Sequence, residues 1–142
     1  MTKLFAALAA TALTALPMAA AAQSGDAAAG EKAFRGCQAC HVVENAAGDV
    51  LAGRNAKTGP NLYQVAGRPA GSIDGFRYSD SMAAAGEAGL VWDEESFVAY
   101  VQDPTGFLRE YLDDSGARGA MSYKVRKEED AVDLYAYLSS LE

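Results

Sequence analysis

Apolar residues first cluster without a period. Residues 4–16 form a run of mainly Ala and Leu behind Lys3, and the run is closed by Pro17 and by Ala20, Ala21 and Ala22. A positive start, an apolar centre and small residues before Gln23 predict a cleaved secretory leader over 1–22, with one mature domain over 23–142. As a membrane span the run is too short, and Pro17 breaks it; about 20 strongly apolar residues are needed. Beyond Gln23 a helical period sets in. Asp26 can cap a helix over about 27–35, with Ala29, Gly30, Ala33, Phe34 and Cys37 on one side. The clearest stripe is Ala131, Leu134, Tyr135, Leu138 and Leu141, which predicts a helix over 127–141. Its first turn holds Glu128, Glu129 and Asp130, where the helix dipole favours acids. A third helix starts at the cap Asp93, turns Phe97, Tyr100 and Val101 inward, and stops before Pro104. Shorter helical turns fit 106–112 and 81–85.

Between these elements lie loops rich in Gly, Asn and Asp over 44–60, 67–79 and 113–120. No convincing period-2 alternation marks a strand, so the expected class is all-α, with three to five helices and long loops. Structureless loops of this length argue against a compact domain unless something fills its middle. Composition sharpens this. The 142 residues are 50% hydrophobic with a net charge of −7. Without the leader, eleven basic residues face nineteen acidic ones, a net of −8. An acidic chain is a poor nucleic-acid binder, because phosphate contacts need a basic surface. Two cysteines cannot build a disulfide scaffold. A single histidine excludes multi-histidine metal sites.

Those three residues form one motif. Cys37-Gln38-Ala39-Cys40-His41 is C-x-x-C-H, which in an exported chain reads as covalent attachment of a c-type haem. On a helical turn positions i, i+3 and i+4 share a face, so two thiols can bond the haem vinyl groups while the imidazole reaches the iron. Three plainer readings compete. A dithiol redox pair lacks the βαβ pattern around it. A disulfide across four residues would be strained and staple little. A zinc site needs four ligands, and no further Cys or His exists. A methionine opposite the histidine would close both axial positions. After leader removal the candidates are Met82 and Met121, and either can also serve as core filler.

The ordered set of motifs resembles a family. A first helix, C-x-x-C-H, Thr58-Gly59-Pro60-Asn61-Leu62-Tyr63, Gly67-Arg68, Trp92, a Tyr100-containing helix, Met121 and a last helix are similar in order to the class I c-type cytochromes, most of all the cytochrome c2 and c550 group. The resemblance covers nearly all of 25–141. It implies the cytochrome c fold around one haem c per chain, held by thioethers from Cys37 and Cys40. It implies His41 and Met121 as iron ligands, with Met121 preferred to Met82. It implies that the Pro60 carbonyl orients the His41 imidazole, that Tyr100 lies near the methionine sulfur, and that Arg68, Tyr78 and Trp92 hold a haem propionate. Gly30 and Phe34 would meet the last helix at Leu134 and Tyr137. Phe76 stands where some relatives carry Tyr, and Gly119 replaces a hydroxyl residue of the mitochondrial relatives. Residues 44–57 and 113–118 look like insertions relative to those shorter chains.

With both axial positions filled, the resemblance implies a one-electron carrier of the periplasm and not an enzyme. The donor would be quinol:cytochrome c oxidoreductase, and the acceptor a photosynthetic reaction centre or cytochrome c oxidase. The carrier would be a monomer, without nucleic acid and without stable membrane insertion after cleavage. Lys124, Arg126 and Lys127 flank Met121, with Arg35, Arg54 and Lys57 nearby in sequence to the other motifs. The acids gather at 93–95, 113–114 and 128–133. A basic front on an acidic body would steer an acidic partner. The alternative is an open-site haem protein that binds small ligands or peroxide.

Overall fold

The computed structural model describes residues 23–142; the expected leader over 1–22 lies outside the described residues. Five helices and one short ribbon follow in chain order: α1 (Ala27–Ala33), β1 (Val42–Glu44), β2 (Val50–Gly53), α2 (Asp80–Glu87), α3 (Glu94–Gln102), α4 (Pro104–Tyr111) and α5 (Glu128–Ser140). A 3-10 turn, Phe34–Gly36, prolongs α1 towards Cys37.

The frame is the crossing of the first and last helices. The Asp26 carboxylate caps α1 by accepting the Ala28 and Ala29 N–H groups at 2.8 and 3.3 Å. Its own N–H donates to the buried Asp133 carboxylate on α5 at 2.7 Å. Gly30 allows the backbones to touch: a Cβ there would collide with the Asp133 carbonyl oxygen and stand 2.7 Å from the Tyr137 Cβ. Beside it, the Phe34 ring lies 5.8 Å from that of Tyr137. The expected partners of Gly30 were Leu134 and Tyr137; Asp133 takes the closest approach instead, because the contact is backbone to backbone.

Helix α3 starts where its cap foretold. The Asp93 carboxylate accepts the Ser96 N–H at 2.8 Å, and the Ser96 hydroxyl accepts the Asp93 N–H at 3.1 Å. The helix packs on α5 through Phe97 and Tyr135, whose rings are 5.4 Å apart. Helix α4 begins two residues earlier than expected. Pro104 does not merely stop α3; it occupies the first position of α4, where a missing N–H costs nothing. Asp103 caps it by accepting the Gly106 N–H at 3.3 Å. The short 81–85 turn is a full helix, α2, capped by Ser79.

The ribbon is the main departure from the all-helical expectation. β1 and β2 pair antiparallel as Val42↔Gly53 and Val43↔Ala52, then slip at a bulge to Glu44↔Val50. Asn45 closes the turn by accepting the Ala47 and Asp49 N–H groups. A second backbone pairing joins the long loops. Gly67 donates to the Trp92 carbonyl at 2.7 Å, Trp92 to that of Arg68 at 3.0 Å, and Ala70 to that of Leu90 at 2.8 Å. The loops expected over 44–60 and 67–79 are therefore pinned. No helix of the described residues is long and apolar enough to cross a membrane.

Candidate functional site

The turn after α1 builds the first wall. The Cys40 and His41 N–H groups both donate to the Cys37 carbonyl, at 3.1 and 2.9 Å. One tight turn thus sets Cys37, Cys40 and His41 on one face. The opposite wall of the imidazole is Gly59, whose N–H donates to the Cys40 carbonyl at 2.7 Å. The ring lies flat on it: a Cβ at Gly59 would stand 2.7 Å from Nδ1 and 2.8 Å from Nε2.

The His41 Nδ1 and the Pro60 carbonyl oxygen are 2.8 Å apart. A carbonyl can only accept, so Nδ1 carries the proton and Nε2 keeps its lone pair. Burial lowers the imidazole pKa, and the Pro60 bond offsets part of that. At neutral pH the ring is therefore neutral, and its second nitrogen is left free to bind a metal.

His41 borders a cavity of about 310 Å³ at the centre of the fold. That volume lies within the usual range of cofactor sites. Cys37, Cys40, His41, Pro60, Arg68, Tyr78, Trp92, Tyr100 and Met121 all line it, so the structure brings the nine residues expected to attach, ligate or surround the group to one place. Met82 lines it as well, which leaves two methionines at the cavity. Phe97, Val101, Leu134 and Leu138 supply an apolar floor from α3 and α5.

The cysteines sort between the competing readings. Burial, with the neighbouring Cys40 charge as a smaller cause, pushes the Cys37 thiol up to about 11. A dithiol exchange pair is served by a lowered thiol pKa, and Cys37 shifts the other way, while Cys40 is exposed at the cavity edge. Among the described residues no three Cys, His, Asp or Glu side chains cluster as a bare-ion site.

The polar rim is a set of donors without acids. Arg68 Nη1 donates to the Tyr63 carbonyl at 2.8 Å and Nη2 to that of Asn61 at 3.1 Å. Burial lowers its pKa, and Tyr78 beside it acts in the opposite direction at lesser strength. Among the described residues no carboxylate pairs with it. A half-buried guanidinium held only by neutral carbonyls fits an anionic group carried by the occupant. The loop pairing explains why Trp92 lies beside it: the two residues share a backbone hydrogen bond. Trp92 in turn packs on Tyr100 with ring centres 5.0 Å apart, and burial pushes the Tyr100 hydroxyl up to about 12. An apolar chamber with two thiols, one aimed imidazole, two thioethers and an unpaired cation suits a large flat group with acidic side arms.

Two elements escaped the sequence. Gly59 acts as a flat seat for the imidazole, and Tyr123 reaches across to the first wall. A Cβ on Gly36 would land on the Tyr123 hydroxyl. Both contacts join segments that no periodicity links; the only local signal was the Gly before Pro60.

The chain is similar in sequence and fold to known proteins. Cytochrome c2 of Rhodovulum adriaticum is 74% identical over 118 residues, which cover 83% of this chain and 94% of that protein. Cytochrome c2 of Cereibacter sphaeroides is 55% identical over 131 residues, or 92% and 89% of the two chains. The solved structure of cytochrome c2 from Rhodobacter sphaeroides superposes with a TM-score of 0.81 at 55% identity, covering 82% of this chain and 96% of that one. No family model matches the chain.

Proposed function

The chain belongs to the cytochrome c2 group of class I c-type cytochromes and has the cytochrome c fold, and from that premise we propose that it is a one-electron carrier of the periplasm with a His/Met-ligated haem c. When bound, the haem supplies the one-electron iron couple; the protein supplies attachment, axial ligation and shielding. Cys37 and Cys40 are the thioether positions. His41 gives the iron a neutral nitrogen, aimed by the Pro60 carbonyl. Met121 is the sixth ligand, and its thioether favours the reduced state. Arg68, Tyr78 and Trp92 would hold a propionate, and the half-buried Tyr100 would bond near the methionine sulfur. His41 and Met121 would together hold the iron and leave it no place for a substrate, which is why the reading is a carrier and not an enzyme.

The observation that supports this best is the His41–Pro60 bond, because it fixes the free nitrogen of the only histidine on the cavity. The leader over 1–22 is removed on export. The donor is quinol:cytochrome c oxidoreductase, and the acceptor a reaction centre or cytochrome c oxidase. The mature chain works as a monomer.

The test is spectroscopy of protein purified from the periplasm, with and without carbon monoxide. A c-type spectrum unmoved by carbon monoxide is expected. Ready binding to ferrous iron would establish the open-site alternative, and absence of covalent haem would remove both. Met121→Leu should open the sixth position, whereas Met82→Leu should leave it closed; the opposite pattern would reassign the ligand.

A further inference from the structure

Met121 lies in the segment between α4 and α5, which has no regular secondary structure. Side chains of the helices nonetheless tie that segment down on both sides of the methionine. Upstream, Arg109 Nε donates to the Ala117 carbonyl at 3.1 Å. The Arg118 N–H donates to the Ser81 hydroxyl at 2.9 Å. The Gly119 N–H donates to the Thr105 hydroxyl at 3.1 Å. Downstream, Lys124 Nζ pairs with Asp103 at 2.7 Å, and the Val125 N–H donates to the Val101 carbonyl at 2.9 Å. Among the described residues no backbone hydrogen bond holds 120–123.

Thr105 has the most direct hold. It stands second in α4, a helix whose end is already capped by Asp103, so its hydroxyl is free to bond elsewhere. Its partner Gly119 stands two residues before Met121. That glycine rests on the buried Pro104: a Cβ there would be 3.3 Å from the Pro104 Cβ. The loop backbone is thus seated on the first turn of α4 and hooked to it. The pair is partly buried, so water does not readily replace the hydroxyl when it is lost. Ser81 provides a second hook from α2 on the adjoining residue, in a more exposed position.

We propose that Thr105 and Ser81 are positioning residues that set how readily the Met121 segment leaves the cavity wall. The proposal rests on Met121 being the sixth ligand. Release of the segment costs the Gly119 and Arg118 hydrogen bonds, so a competing ligand must work against both. Neither residue borders the cavity, and each acts only through the loop backbone.

The test uses the ferric holoprotein, with imidazole as the competing ligand. Thr105→Val keeps the branched shape and removes the acceptor. It should tighten imidazole binding roughly tenfold, the equivalent of one partly buried hydrogen bond. Thr105→Ser should stay within about twofold of the parent, because the acceptor remains. Ser81→Ala should shift the same way by a smaller factor. In the ferrous holoprotein Thr105→Val should also speed amide exchange at Gly119, a readout independent of added ligand. Unchanged imidazole affinity in both Thr105→Val and Ser81→Ala overturns the proposal, even if thermal stability falls. A parent protein without the sulfur-to-ferric-iron absorption band refutes the Met121 ligand reading itself, and the hooks lose their role with it.

Discussion

Gly59→Ala isolates the support of the imidazole from everything else in the site. The backbone at Gly59 has no need of glycine's left-handed conformations, so the only obstacle to a methyl group is the His41 ring. The added Cβ would be 2.7 Å from Nδ1, while an ordinary contact begins at 3.4 Å. Cε1 lies closer still, so the ring must retreat by about 1 Å, towards the space that a bound group fills in the holoprotein. That displacement weakens the 2.8 Å bond to the Pro60 carbonyl. Overpacking of this kind costs about 1–3 kcal/mol, and the weakened hydrogen bond about 1 kcal/mol. Against this, replacing glycine stiffens the unfolded chain and returns about 0.4–1 kcal/mol. The steric terms win, and the net loss is about 2–3 kcal/mol. In urea, followed by circular dichroism on the ferric holoprotein, the midpoint should fall by about 1 M. Gly116→Ala is the control, because a Cβ there meets only the Asp114 carboxylate, 3.1 Å away at the tip of an exposed side chain. If Gly59→Ala proves as stable as Gly116→Ala, the ring is not seated on Gly59 and the argument fails.

Gly30→Ala should lose about 2 kcal/mol, because the collision with the Asp133 backbone outweighs the roughly 1 kcal/mol that alanine gains in a helix. Calorimetry should then show a melting point lower by about 8 °C, and a rise would mean that the α1–α5 crossing yields easily. Asp93 and Asp103 titrate below the usual carboxylate range, the first held down by Ser96 and the second by Lys124. Their contribution to stability is therefore complete above pH about 4 and is lost as the pH falls through the lowered values; the Asp93→Asn, Asp103→Asn double variant should show a flatter acid limb in circular dichroism, and an unchanged limb would contradict the assignment. Oxidation of the reduced protein by an isolated acceptor complex should slow as salt rises, if the basic residues around Met121 steer the encounter; a flat dependence would dismiss steering.

The helices were legible where a cap and a period coincided. Asp93 announced α3 because its carboxylate and Ser96 satisfy each other locally. The α5 stripe was readable because Ala131, Leu134, Tyr135 and Leu138 are all buried. The ribbon was not, for a physical reason. β1 has three residues, of which Val42 and Val43 are both buried, and a bulge breaks the register after them. Such a strand shows no alternation. Pro104 misled in a smaller way, since the residue that ends one helix also opens the next. At the site, the cysteines and the histidine were legible because their geometry is a single turn. Arg68 and Trp92 join that wall through pairing of two loops, which only the resemblance anticipated. Gly59 under the imidazole, Tyr123 over Gly36 and Thr105 under Gly119 are meetings of distant segments, and no local pattern encodes them.

Those meetings bear on how variants of this site should be read. The cavity floor is built from Val101, Phe97, Leu134 and Leu138, which are also core residues of the α3–α5 contact. Trimming Leu134 to alanine would enlarge the chamber and remove core packing in one step, at about 2–5 kcal/mol. Loss of ligation in such a variant would therefore say nothing about the chemistry of the residue removed. Residues that touch the loop but not the cavity are free of that ambiguity. Thr105 and Ser81 belong to that class; Asp103 does not, because besides pairing with Lys124 it caps α4. Changes at these positions alter the tethering of Met121 while leaving the chamber's shape and its apolar floor intact. The separation follows from the architecture: loops and the α3–α5 pair line the chamber, while side chains on α2 and α4 bond the Met121 segment from outside it.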